Sequence, residues 1–195
     1  MCTRLIVIAA FSLAFAGSTL AGSDHDITPS SAIEQSPSRT DASNTAQHLF
    51  DEIVIWLSSN FDLPATPHGS EIKFTSKLEL ARMRAADRAH WQGLTQPEEV
   101  DELVQRTVVA VYDMKSKTIF LSDDWVGESP QDQSVLVHEI VHHLQNLAQL
   151  KFECPAAREK MAYMAQEKWL ARFGTSLEEQ FGIDMFTVVV TSACM

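Results

Sequence analysis

Basic residues are few in this chain: 15 Lys and Arg stand against 26 Asp and Glu, a formal net charge of −11. An acidic balance of that size argues against non-specific attachment to nucleic acid or to an anionic membrane, both of which reward a cationic surface. Long apolar runs are also lacking. The stretch at residues 5–16 is too short to cross a bilayer comfortably, since a span takes about 20 residues. No internal repeat is visible, which sets aside solenoid architectures. Cysteine occurs at only three positions, Cys2, Cys154 and Cys194.

What the first residues do contain is a positive start at Arg4, the short apolar run, and small residues up to Ala21 and Gly22. Together they read as a secretory signal peptide, residues 1–21, with cleavage after Ala21 preferred over Ala16. The mature chain is then expected to be periplasmic or extracellular, with no membrane span. Losing Arg4 moves its net charge from −11 to −12. Cys2 leaves with the leader, and the even pair that remains favours a Cys154–Cys194 disulfide in an exported protein. Such a bond closes a loop of about forty residues and contributes roughly 3 to 4 kcal/mol. Two buried thiols or metal ligands are the competing reading. Residues 22–41 carry almost no large apolar side chains, cannot offset the entropy of ordering, and read as a flexible tether. One domain, residues 42–195, follows.

The chemistry concentrates in one run, Val137-His138-Glu139-Ile140-Val141-His142-His143. Ahead of it, Ser129, Pro130 and Asp132 supply an N-cap, a proline at the first helical position and an acid in the first turn. On a helix His138 and His142 lie one turn apart on one face, where both imidazoles can grip one zinc ion while Glu139 reaches its water. Val137, Ile140, Leu144, Leu147 and Ala148 gather on the opposite side, so one face packs and the other presents ligands. Against this stands the bland reading, two ordinary polar-face histidines of an amphipathic helix.

Around that helix the periodicity predicts a helix over 41–60, a short strand at 71–74, and a helix over 76–91 opened by the capping box Ser76-Lys77-Leu78-Glu79. Arg82, Arg84 and Arg88 read as its solvated basic face. Residues 107–112 and 118–122 are strand-like and should pair as a hairpin. Pro155 starts a helix to residue 173 with Gly174 as a left-handed cap, residues 176–181 add a short turn of helix, and the β-branched run 186–190 reads as a last strand or a strap. His48, His68 and His90 are given no role. The expected fold is α+β, mostly helical, with a small antiparallel sheet packed on the motif helix.

A zinc site with two histidines needs one more protein ligand, and the downstream acids are Glu153, Glu159, Glu167, Glu178 and Glu179. Glu159 shares its helical face with Ala162, Tyr163, Gln166, Trp169, Leu170 and Phe173, the inward stripe by composition. A carboxylate there needs a metal or a cation as partner. Glu159 is therefore the chosen ligand, a salt bridge to an arginine of the helix before the hairpin is its alternative role, and Glu153 is the second choice as ligand.

The hairpin, the His138-Glu139-x-x-His142 helix and the following Glu159-Lys160-Met161-Ala162 helix together resemble the zincin metallopeptidases, specifically a small gluzincin. The resemblance covers about residues 108–173. It implies a fold in which an edge strand, here 118–122, aligns an extended peptide, and a downstream His or Tyr that steadies the oxyanion. Here the chain departs, because no histidine follows Glu159 and the only tyrosine beyond it is Tyr163. Tyr163 and His143 are both open as substitutes.

Function then divides three ways. An exported zinc peptidase would use one zinc ion on His138, His142 and Glu159, with Glu139 as general base and a peptide or protein as substrate. A non-catalytic zinc-binding interaction or regulatory domain of the envelope would have no need of Glu139. A chance motif in an all-helical adaptor would bind no zinc.

Overall fold

The motif helix fixes the frame. In the computed structural model, which describes residues 39–65, 70–91 and 108–194, this helix, α3, spans Pro130–Leu147. The leader, nearly all of the tether and His68 lie outside the described residues, as do the side chains of Arg88 and His90. Ser129 caps α3 as expected, its hydroxyl accepting the Asp132 N–H at 3.0 Å with Pro130 at the first position. Asp132 in turn accepts the Gly127 N–H at 3.3 Å, and the Trp125 indole donates to the Asp132 carbonyl at 3.0 Å. Gly127 has φ +77°, and a Cβ there would stand 2.5 Å from the Trp125 ring. Only glycine lets this loop fold back on the helix start.

At its other end α3 closes through Gln149, at φ 52°. The Gln149 N–H reaches the Asn146 carbonyl and the Leu150 N–H the Gln145 carbonyl, at 3.1 and 3.0 Å, a Schellman closure with glutamine in the left-handed position. Every residue from Ser134 to Gln145 is buried. The expected division into a packed face and a presenting face therefore gives way to a central helix covered all round.

Three layers do the covering. Helix α1, Arg39–Asn60, buries Phe50, Ile53, Val54 and Leu57 against the same core as Leu136, Ile140 and Leu144 of α3. The sheet comprises β1 (Glu71–Thr75), β2 (Ala110–Asp113) and β3 (Thr118–Ser122) in the order β1-β3-β2. Alternation sends Ala110, Tyr112, Ile119 and Leu121 to the α3 side, while Val111 and Phe120 meet Leu80 and Ala81 of α2, Lys77–Trp91, on the other.

Two expectations about the sheet are corrected. It is mixed, because β1 pairs with β3 in parallel while β2 pairs with β3 antiparallel. Residues 118–122 are accordingly the central strand, and among the described residues β1 and β2 are the edges. The reason is that the short 71–75 strand, visible in the sequence without a partner, occupies the far side of β3.

Helix α4, Pro155–Ala171, returns along α3, with Ala162, Ala165, Trp169 and Leu170 buried. Phe173, placed on that stripe, is 47% exposed because the helix has already ended at Ala171. Gly174 takes the expected left-handed conformation at φ 73°. Helix α5 is Leu177–Phe181. The run expected as a strand or strap is instead helix α6, Met185–Thr191. Asp184 caps it by accepting the Thr187 N–H at 2.6 Å, and Val188 packs on Leu170 and Leu177. A cap and one buried contact outweigh the few tenths of a kcal/mol per residue by which valine disfavours helix. Just beyond, Cys194 is bonded to Cys154. Among the described residues no helix is long and apolar enough to cross a membrane.

Candidate metal centre

The two histidines of α3 and the glutamate of α4 converge. His138 Nε2 and His142 Nε2 are 3.2 Å apart, and Glu159 Oε2 lies 3.2 Å from the first and 3.3 Å from the second. These three residues could hold a metal ion. Both rings are nearly buried, at 6% and 5% exposure. Burial by itself would raise the Glu159 pKa, but the His142 and His138 imidazoles beside it hold the carboxyl well below the ordinary range. Burial likewise opposes charge on His138, yet the Glu159 and Glu139 carboxylates lift its pKa overall.

The rings are held from behind by amides. His138 Nδ1 is 3.2 Å from Gln166 Oε1, and the Gln166 amide nitrogen donates to Ser134 Oγ at 3.2 Å. His142 Nδ1 is 3.1 Å from Gln145 Oε1, and the Gln145 amide nitrogen donates to the Arg158 carbonyl at 3.0 Å. An imidazole whose Nδ1–H donates to an amide oxygen presents the Nε2 lone pair to the common point. Gln145 and Gln166 also tie α3 to α4 on both sides of the cluster.

Glu139 stands apart from the three. Its Oε2 accepts the Tyr112 N–H at 2.8 Å, which fixes the carboxylate against the open edge of β2. Ser122 donates to the Val109 carbonyl, so by the alternation of an antiparallel ladder the backbone groups of Ala110 and Tyr112 face away from β3. Ala110, Tyr112, Glu139 and all three cluster residues line one cleft of about 70 Å³, together with Arg84 and Asp87 of α2 and Arg158 of α4. Arg84 is exposed, as its place on a solvated face requires, but it also borders this cleft and a second one holding His138, Glu139 and Tyr163, a position that sequence reasoning missed.

The remaining candidates fall as follows. Tyr163 sets its ring edge-on to His138 at 4.7 Å between centroids, and burial pushes its phenol up. It borders the second cleft. His143 points the opposite way into the core, packed on Phe50 and Tyr112, and burial pushes its pKa down to about 4. Its Nδ1 meets the Tyr112 hydroxyl at 3.3 Å, so it is a core histidine. Glu167 accepts the Leu177 N–H at 2.7 Å, and Glu153 is exposed on the wall of a separate cavity. His48 is exposed on α1.

An α+β domain of this kind, in which a buried helix and its successor bring two imidazoles and a carboxylate to one point, defines a domain with a candidate metal centre. The chain belongs to the family described as "Domain of unknown function (DUF6647)", which matches residues 42–195. Neither a curated protein nor a solved structure matches it.

Proposed function

We propose that the chain is an exported zinc-dependent peptidase of the small gluzincin kind. The observation that carries this reading is the near-equilateral triangle of ligand atoms, with sides of 3.2, 3.2 and 3.3 Å. Zinc bonds of about 2.0 to 2.1 Å in a tetrahedron separate neighbouring ligand atoms by about 3.3 Å. Two imidazoles plus one carboxylate are also the donor set of catalytic zinc sites that keep a position open. A zinc ion held there would polarise a carbonyl and lower the pKa of a water to about 7.

The chain's own groups supply the rest. Glu139, outside the ligand set and aligned by the Tyr112 N–H, takes the proton of the attacking water and passes it to the leaving amine. The outward backbone groups of Ala110 on β2 pair with an extended peptide. Arg84, which borders both clefts beside His138 and Glu139, would offset the negative charge that builds on the carbonyl oxygen, with Tyr163 beside it in the second cleft as the other candidate. The disulfide supports an oxidising, periplasmic or extracellular setting.

A second reading, a non-catalytic zinc-binding interaction or regulatory domain, draws on one observation: the cleft above the cluster is only about 70 Å³. One experiment separates the two. Metal-free protein is titrated with zinc and assayed on casein and a peptide library, alongside Glu139→Gln, Glu159→Ala and Arg84→Met. The peptidase reading expects one zinc per chain and cleavage. Glu139→Gln should keep the zinc and lose cleavage, Glu159→Ala should lose the zinc, and Arg84→Met should keep it with kcat lowered on the order of a hundredfold. Zinc bound at one per chain with no cleavage of any substrate favours the binding domain. No zinc at all overturns both.

A further inference from the structure

Beside His142 the hairpin turn, the end of α3 and the segment leading to Cys154 enclose a cavity of about 520 Å³, within the roughly 300–1,000 Å³ of ligand pockets. Two cations border it, Lys117 and Arg158, in a chain whose net charge is −11. The acid on its wall, Glu153, is exposed. Apolar surface comes from Met114, Leu150 and Phe152, the last two left 40% and 36% exposed.

Arg158 is poorly served by the protein. Its Nη1 meets the thioether of Met114 at 3.0 Å, and its Nε lies 3.3 Å from His142 Nδ1. A thioether is a weak acceptor. The His142 nitrogen carries its own hydrogen when it donates to Gln145, and then cannot accept from arginine. Among the described residues no carboxylate lies within ion-pair distance of Arg158. A half-buried guanidinium without an anion is an incomplete arrangement.

The backbone points to the same place. Among the described residues, the two non-glycine positions with positive φ are Lys117 at 55° and Gln149 at 52°, and both line this cavity. Glycine or asparagine would take these conformations with less strain, but neither would put a long polar side chain on the wall. Strand β2 runs from Ala110 in the cleft to Asp113 at the turn, so a peptide along its open edge leads from the cluster into the cavity.

We infer that this cavity is a substrate subsite that takes a carboxylate carried by the peptide, bound by Arg158 and Lys117, with its stem against Met114, Leu150 and Phe152. The carboxylate is either an acidic side chain or the free C-terminus. The inference rests on the peptidase reading for the reaction but not for the binding. Zinc-loaded protein carrying Glu139→Gln is titrated with a labelled ten-residue alanine-rich peptide in four forms: internal Glu or Gln, each with a free or an amidated C-terminus.

The expected result is binding at least tenfold tighter for the form with the recognised carboxylate, and the four forms tell which source it is. Arg158→Met and, independently, Lys117→Asn in the exposed turn should each reduce that preference severalfold without changing zinc content. Equal binding of all four peptides overturns the subsite. So does a preference that survives both substitutions, because then the metal itself holds the carboxylate. In wild-type protein, cleavage without carboxylate preference overturns the subsite and leaves the peptidase standing. Preferential binding that Arg158→Met abolishes, with no cleavage, does the reverse.

Discussion

Gln166 shows how much of a candidate metal centre lies one bond behind the side chains that converge there. Its Oε1 faces His138 Nδ1 at 3.2 Å while its amide nitrogen donates to Ser134, so a single side chain sets both the tautomer and the tilt of the ring. Replacing it by leucine keeps approximate volume and removes the acceptor. Gln166→Leu is expected to weaken zinc binding about 10- to 100-fold in a chelator competition, with helical content unchanged. An unchanged affinity would mean that packing alone orients His138. The faces of Gln145 and Gln166 were readable from their spacing to the ligands, but not their partners, since an amide on a buried stripe does not say what it meets. His138, His142 and Glu139 were readable because helix pitch makes their spacing a statement about chemistry. Glu159 was readable because a carboxylate on an apolar stripe demands a counter-charge. Arg84 was not. It is exposed, as read, and whether it also borders the cleft depends on how α2 crosses the sheet, which nothing local encodes.

At the scale of elements, the centre depends on how closely α4 approaches α3. Ala162 and Ala165 are fully buried in that seam, and small side chains there let the two backbones come near enough for one carboxylate to reach two imidazoles. Ala162 lies three residues beyond Glu159, on the same face. Ala162→Leu adds three carbons to a filled interface. The expected cost is about 1 to 3 kcal/mol of stability, with zinc affinity falling as Glu159 is pushed away, measured by denaturant melts and zinc titration of the same sample. A loss of stability with zinc affinity intact would show that Glu159 follows the metal rather than the helix. The helices themselves were legible because caps and periodicity agree over long windows: Ser129-Pro130 and Pro155 start α3 and α4 where expected. The sheet order and α6 were less so. A five-residue strand carries no mark of whether its neighbour runs parallel, and β propensity in 186–190 is a weak term that Asp184 and the Val188 contact override.

For the molecule as a whole, the question is what the Cys154–Cys194 bond holds. It spans 40 residues, and closing a loop of that size removes about 4 kcal/mol worth of unfolded-state entropy. It fastens the end of α6 to the N-cap of α4, five residues before Glu159. The bond could therefore support the fold alone or the ligand geometry as well. The contacts that set the ligands argue for the first: the Gln145 bond to the Arg158 carbonyl, the Gln166 bond to Ser134, and the buried alanines all join α4 to α3 without it. The double variant Cys154→Ser/Cys194→Ser should accordingly lose about 3 to 4 kcal/mol in chemical denaturation. Because zinc stabilises by a term set only by its concentration and its affinity for the native state, the deficit should be equal in metal-free and zinc-saturated protein if that affinity is untouched. A deficit that widens when zinc is present would place the disulfide in the service of Glu159. A deficit confined to loss of α6, with the rest melting as in wild type, would limit its reach to the small cluster of Leu170, Leu177 and Val188.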